Sequence, residues 1–102
     1  MKKWEGLMGL CARAGRAKFG SEAALAAIRG GTAKLALVDG GASENTQKMF
    51  LDACSHRGVP LRMTGSGALG DCTGRPGRMA AAVTDEGFAR NIVSLFDMEN
   101  TH

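Results

Sequence analysis

Lys34-Leu35-Ala36-Leu37-Val38 is an apolar run with no alternation of polar and apolar side chains. A strand that shows one face to water alternates. One covered on both faces reads as a continuous hydrophobic stretch. Met79-Ala80-Ala81-Ala82-Val83 has the same character. Two such runs predict two central strands of a sheet sandwiched between helical layers.

Outward from the first run the chain alternates between the two periods. Upstream, Trp4, Leu7, Met8, Cys11 and Ala14 recur at three- and four-residue steps, one face of a helix ended by Gly15. Trp4 is expected in the core. Ala17 to Phe19 is a short extended piece. A second helix begins abruptly after Gly20, with Ser21 as the expected N-cap. Ala23 to Ile28 are good helix formers, and Gly30-Gly31 stops them. Downstream, Asp39-Gly40-Gly41 ends the strand. Ser43 then caps a third helix, with Glu44 in its first turn and Met49, Phe50, Ala53 and Cys54 as its apolar stripe. Gly58 is the expected stop, with Pro60 just beyond.

Val59 to Met63 is a further strand, and a cramped helical turn begins at Ser66. A loop is expected from Cys72 to Arg78, ahead of the Met79–Val83 strand. Thr84 or Asp85 caps a last helix with Phe88, Ala89, Ile92, Val93, Leu95 and Phe96 on one side. Helices alternating with strands favour parallel crossovers covered on both faces. With 102 residues and no linker or repeat, the chain is expected to form one domain over residues 1–102.

Composition narrows the function. The net charge of +3 is uneven: up to Lys34 seven basic residues face two acids, and afterwards six face eight. That asymmetry suits a polyanionic partner. One Trp, four Phe and no Tyr are too few for a surface that stacks unpaired bases. Cys11, Cys54 and Cys72 have no metal-binding spacing and read as buried thiols of a reducing compartment. No leader and no membrane span is visible, so a cytoplasmic protein is expected. His56 has no partner for catalysis, and His102 is expected to fray.

Arg13, Arg16 and Lys18 precede the second helix, where free amides and the helix dipole favour anions. The segment Gly15 to Ser21 lacks the Gly-Lys-Ser/Thr ending of a nucleotide-hydrolysing phosphate loop. No Ser, His and acid set is present. Cys72, in a basic loop, is the one thiol whose pKa could be depressed, and an enzyme built on it is the weakest reading. What remains is a pair of basic, glycine-bearing loops, Gly15 to Ser21 and Gly74 to Arg78. Together they could straddle a nucleic-acid backbone, with guanidiniums on phosphates and glycines permitting close approach. Glu22 at the helix start suits base amino or imino groups better than phosphate.

In this order and spacing, Leu7 to Arg16, Gly20-Ser21-Glu22, Ala26 to Leu35, Ala42 to Thr46, Gly67 to Gly70 and Val83 to Ala89 resemble the bacterial branch of the L7Ae/L30e ribosomal-protein family. These are small proteins that bind kinked RNA duplexes. The resemblance spans nearly the whole chain. It implies a three-layer α/β/α sandwich with a mixed four-stranded sheet, no catalysis, and structured RNA as the partner, ribosomal RNA or the ribosome among the candidates; no cofactor is expected, and a compact monomer is the simplest state. Its RNA-binding positions fall here on Gly20, Ser21 and Glu22 with Lys18 beside them, and on Pro76, Gly77 and Arg78; Arg16 and Arg75 join them as the further cations of the two basic loops. Ser43 and Glu44 are secondary. Strong kink-turn binders of the family carry Asn, Glu and Lys on the second helix, where this chain has Glu22, Ala23 and Ala26. A carboxylate accepts but cannot donate as Asn does. A protein-interaction module that has kept the fold and lost the RNA surface is the alternative.

Overall fold

β2 (Leu35–Asp39) and β4 (Ala80–Val83) lie in the middle of a four-stranded sheet, and every residue of both is buried. The computed structural model describes residues 2–100; His102 lies outside them. In chain order the other elements are α1 (Lys3–Arg13), β1 (Ala17–Phe19), α2 (Ser21–Arg29), α3 (Glu44–Arg57), β3 (Leu61–Thr64), α4 (Ala68–Thr73) and α5 (Glu86–Glu99). The strand order is β1-β4-β2-β3. β2 and β3 are parallel, whereas β4 runs antiparallel to both β1 and β2. The sheet is therefore mixed, as the family resemblance implies. The expectation of parallel crossovers throughout fails at β4. An all-apolar run reports burial on both faces and carries no information on direction.

Side chains of the central strands divide by parity. Ala36, Val38, Ala80 and Ala82 pack with α2 and α3, around Ile28 and Phe50. Leu35, Leu37, Ala81 and Val83 face α1, α4 and α5, around Trp4, Met8, Leu69 and Ile92. Trp4 is 2% exposed and meets Phe96 edge to face at 5.1 Å. Alanines in β4 let helices approach the sheet closely from both sides.

The helix ends follow the sequence with two exceptions. Ser43 Oγ accepts the Thr46 N–H, Asp85 accepts the Phe88 N–H, and Gly58 closes α3 at φ +69°. The start of α2 differs: Gly20, not Ser21, is its N-cap, with φ +90° and no side-chain cap. α4 also differs. It runs on through Cys72 and Thr73 to Gly74, so the expected Cys72–Arg78 loop begins two residues late.

α1 and α4 touch where Gly9 faces α4. A Cβ on Gly9 would lie 2.6 Å from the Cys72 carbonyl oxygen, which is backbone and cannot swing aside. Gly9→Ala is expected to destabilise the protein by about 1–3 kcal/mol through overpacking, read as a lower urea midpoint. Gly6→Ala, on the same helix with open space around it, is the control that should leave stability unchanged or raised.

Candidate nucleic-acid interface

Because β1, β2 and β3 run one way and β4 the other, one edge of the sheet collects four connections. These are the β1–α2 turn at Gly20, the β2–α3 turn at Gly40–Ser43, the β3–α4 turn at Gly65–Gly67 and the loop that enters β4. A shallow cleft of about 450 Å³ opens between the first and the last. Phe19, Gly20 and Ser21 form one wall, and Arg75 to Met79 form the other. The two basic turns are thus neighbours.

Arg78 defines the floor. Its guanidinium carbon sits 3.7 Å from the centroid of the Phe19 ring, a cation–π contact that fixes the plane of the fork. Among the described residues its one hydrogen bond, a long 3.5 Å contact, goes to the Thr73 carbonyl oxygen. Desolvation, and then the charge of Arg75, draw its pKa down from the usual arginine value. An arginine nonetheless stays protonated, so the cleft holds a cation with unused donors.

Glycines shape both walls. The Gly20 amide donates to Ala80 O at 3.0 Å, and its carbonyl accepts from Ala24 at 2.9 Å, which ties the turn to β4 and to α2. A Cβ on Gly20 would meet no atom within 4 Å. The residue therefore presents bare backbone to the cleft. The opposite wall rests on Gly70, where a Cβ would come within 2.8 Å of the Arg75 carbonyl oxygen and 3.1 Å of Pro76 Cα. Gly70 is thus a helix residue kept small so that the loop can lie across α4.

The other candidate residues are dispersed. Lys18 is exposed on the edge strand β1, paired in register with Ala82, and so lies on the α2 side of the sheet while Phe19 lies on the other. Glu22, Ala23 and Ala26 are exposed on α2. Arg16 sits at the opposite end of β1 from Gly20, its carbonyl bonded to the Thr84 amide at 2.9 Å. Arg13 ends α1. The convergence of Arg13, Arg16 and Lys18 on the start of α2 is therefore not observed; the extended strand β1 separates Arg13 and Arg16 from Gly20, and Lys18 lies within it. Ser43 and Glu44 occupy the same sheet edge but not the cleft. The Ser43 hydroxyl is consumed in capping α3, donating to Thr46 Oγ1 at 3.0 Å, and Glu44 lines a separate groove with Leu51 and Met63.

Asp39, read from the sequence only as a strand end, organises this edge. It is fully buried. One carboxylate oxygen accepts the Gly41 and Gly67 amides, both at 2.9 Å. The other accepts the Leu69 amide and the Thr64 hydroxyl, both at 3.2 Å. Burial alone would raise its pKa, but these four donors outweigh it and hold the carboxyl below the usual range. The one available signal was a charged residue ending an otherwise apolar strand.

The thiols are not activated. All three cysteines are buried, and desolvation pushes each up to about 11. Cys72 lies inside α4, not in a basic loop, and the charge of Glu5 adds to the rise. Among the described residues no His, Cys, Asp and Glu group is arranged to hold a metal ion, and no helix is long and apolar enough to cross a membrane.

The model of the ribosomal protein L7Ae/L30e/S12e/Gadd45 family matches residues 2–93. The chain belongs to this family. Two relatives within reach of direct alignment are each named RNA-binding protein YlxQ. The one from Bacillus subtilis (strain 168) is 40% identical over 96 residues, covering 93% of this chain and 96% of its own. The one from Enterococcus faecium is 35% identical over 92 residues, covering 89% and 88%. A solved structure of a protein of unknown function from Bacillus halodurans C superposes with a TM-score of 0.91 at 33% identity, covering 95% of this chain and 99% of that one. The Giardia lamblia 15.5kD RNA binding protein superposes at 0.74 with 25% identity, over 88% of this chain and 78% of its own. The family thus accounts for the mixed sheet and its five helices.

Proposed function

We infer that this chain is a non-enzymatic RNA-binding protein, acting as one domain over residues 1–102 and as a monomer, that seats a bent, kink-turn-like RNA in the cleft between Gly20 and Arg78. The observation that carries the reading is the Arg78–Phe19 stack facing a glycine turn. A planar cation held by a ring can fork onto phosphate oxygens. Bare backbone opposite it lets a sugar-phosphate chain come close. The names of the Bacillus, Enterococcus and Giardia relatives support RNA as the ligand class. Gly20, Ser21, Arg75, Pro76, Gly77 and Arg78 are the contact residues in this reading. Lys18 and Glu22 flank them, and Arg16, Ser43 and Glu44 lie outside the cleft. Ribosomal RNA is one source of such a fold.

Titration of a kink-turn duplex and an unkinked duplex of equal length, across salt, tests this. The kinked RNA is expected to bind at least about tenfold tighter at moderate salt. Arg78→Ala is expected to weaken that binding by about 1–3 kcal/mol, the scale of a lost charge-assisted contact. Equal affinity for the two duplexes refutes shape recognition. One observation favours the rival reading of a protein-interaction module: the exposed face of α2 carries alanines at 23 and 26. Absence of binding to either RNA decides for that rival.

A further inference from the structure

The edge of the sheet opposite the cleft holds a second cationic concavity. Its volume is about 340 Å³, and it lies where α2 and α3 end and β2 and β3 begin. Lys34 and Arg57 line it together with Gly31, and no acidic residue does. The Arg57 guanidinium lies over Gly31, 3.1 Å from where a Cβ would stand. Gly31 itself has φ +83°. Arg29, the last residue of α2, adds a third exposed cation at the same end of the molecule. None of the three is in an ion pair among the described residues. Basic residues at helix C-termini are ordinary partners of the dipole. Lys34, however, ends no helix; it enters β2 and shares the concavity with Arg57.

The outer stripe of α2 joins the two edges. Its exposed residues are Glu22, Ala23, Ala26, Arg29 and Gly30, all on one helical face. Nine residues of helix span about 13 Å. The stripe begins beside Gly20 and ends beside the second concavity. Between Ala23 and Gly30 its side chains are alanine methyls and one arginine, so a rod-shaped polyanion could lie along it without a clash. Glu22, the one acid on the stripe, sits at the cleft end.

We propose that RNA held in the Gly20–Arg78 cleft continues along the outer face of α2, and that the backbone of its stem is gripped at the far edge by Arg29, Lys34 and Arg57. This rests on the RNA-binding reading. It assigns Ala23 and Ala26 a use: they give up base contacts and let a duplex backbone approach. Recognition is divided between a bend read at one edge and phosphates held at the other. Phosphate contacts position a nucleic acid and make affinity salt-dependent without specifying sequence.

The test uses two kink-turn RNAs, one with a stem just long enough to form the bend and one longer by a helical turn. The wild-type protein should bind the long-stem RNA about 3- to 10-fold tighter. Its log K against log salt should be steeper by about 0.9 for each added phosphate contact, the duplex value. The K34A/R57A double variant, shown to be folded by thermal unfolding, should lose that preference and the extra slope; Arg29→Ala should lose part of it. If the wild type binds both RNAs equally, or if the double variant keeps the preference, the second contact is overturned while the cleft stands. If the double variant weakens both RNAs by the same factor, the residues do not read the stem, and the proposal also fails. If the wild type binds neither RNA, the underlying RNA reading falls, and this inference with it.

Discussion

Asp39→Ala is expected to lower stability by about 2–4 kcal/mol, a large share of the 5–15 kcal/mol typical of a domain. The substitution removes the acceptors of the Gly41, Gly67 and Leu69 amides and of the Thr64 hydroxyl. Each buried donor left unpaired costs about 1–3 kcal/mol. Thr64 has the Gly65 carbonyl as a second partner at 3.0 Å, so its share is small. Among the described residues the Leu69 amide, on a buried residue, has no such alternative, whereas the Gly41 and Gly67 amides belong to exposed residues and can turn to water. Urea unfolding at pH 7 measures the loss.

The pH dependence has a defined sign. The folded-state pKa of Asp39 is lowered, so its contribution is complete above the unfolded-state value near 4. It is lost as pH falls through the folded-state value. The stability gap between wild type and Asp39→Asn should therefore be widest at neutral pH and shrink below about pH 4. A gap that stays constant down to pH 2 would show that the carboxylate charge contributes nothing. Function should follow stability here. Asp39 anchors the N-terminal end of α4 through Gly67 and Leu69, and α4 carries Gly70, on which the Arg75–Gly77 wall of the cleft rests. Loosening one carboxylate thus frees a wall that it never touches.

That linkage explains what the sequence could and could not tell. The layers were legible because burial on two faces leaves a local mark: the runs at 34–38 and 79–83 became β2 and β4, wholly buried. Caps at Ser43 and Asp85 were legible because each serves an amide three residues on. Asp39 was not, since its donors come from up to 30 residues away and leave no periodic trace. From the sequence α4 looks short because its glycines resemble breakers. Gly70 is instead a packing site for the loop, and only Gly74, at φ +77°, ends the helix. The start of α2 was displaced by one residue, because Ser21 is a good cap by type while Gly20 alone can adopt φ +90°. Of the cleft, Gly20 and the 75–78 loop were legible as basic turns. The Arg78–Phe19 stack needed coordinates. So did the separation of Arg16 from Gly20, since three strand residues carry the chain about 10 Å between them.

Gly20→Asp is expected to reduce affinity for a kinked RNA by at least about 100-fold, the effect of adding like charge at a phosphate contact and a side chain where backbone must approach. Two costs are superimposed and can be separated. The first is conformational. At φ +90° and ψ 153° an L residue is strained by about 1–3 kcal/mol, which appears in unfolding whether or not RNA is present. The second is steric and electrostatic, and appears only in binding, because a Cβ at Gly20 projects into open space and meets nothing in the free protein. Gly15 provides the control. It too has a positive φ, +72°, with open space around it, and it precedes Arg16 at the end of β1 away from the cleft. Gly15→Ala should cost about 1–2 kcal/mol of stability, the left-handed penalty, and leave RNA affinity within about twofold. Gly20→Ala should cost at least as much stability and weaken binding to an intermediate degree, between wild type and Gly20→Asp. If the Gly20 variants lose RNA only in proportion to the folded fraction they lose, the turn is structural and the ligand does not touch it. A loss that persists at temperatures where each variant is fully folded places the RNA backbone against Gly20.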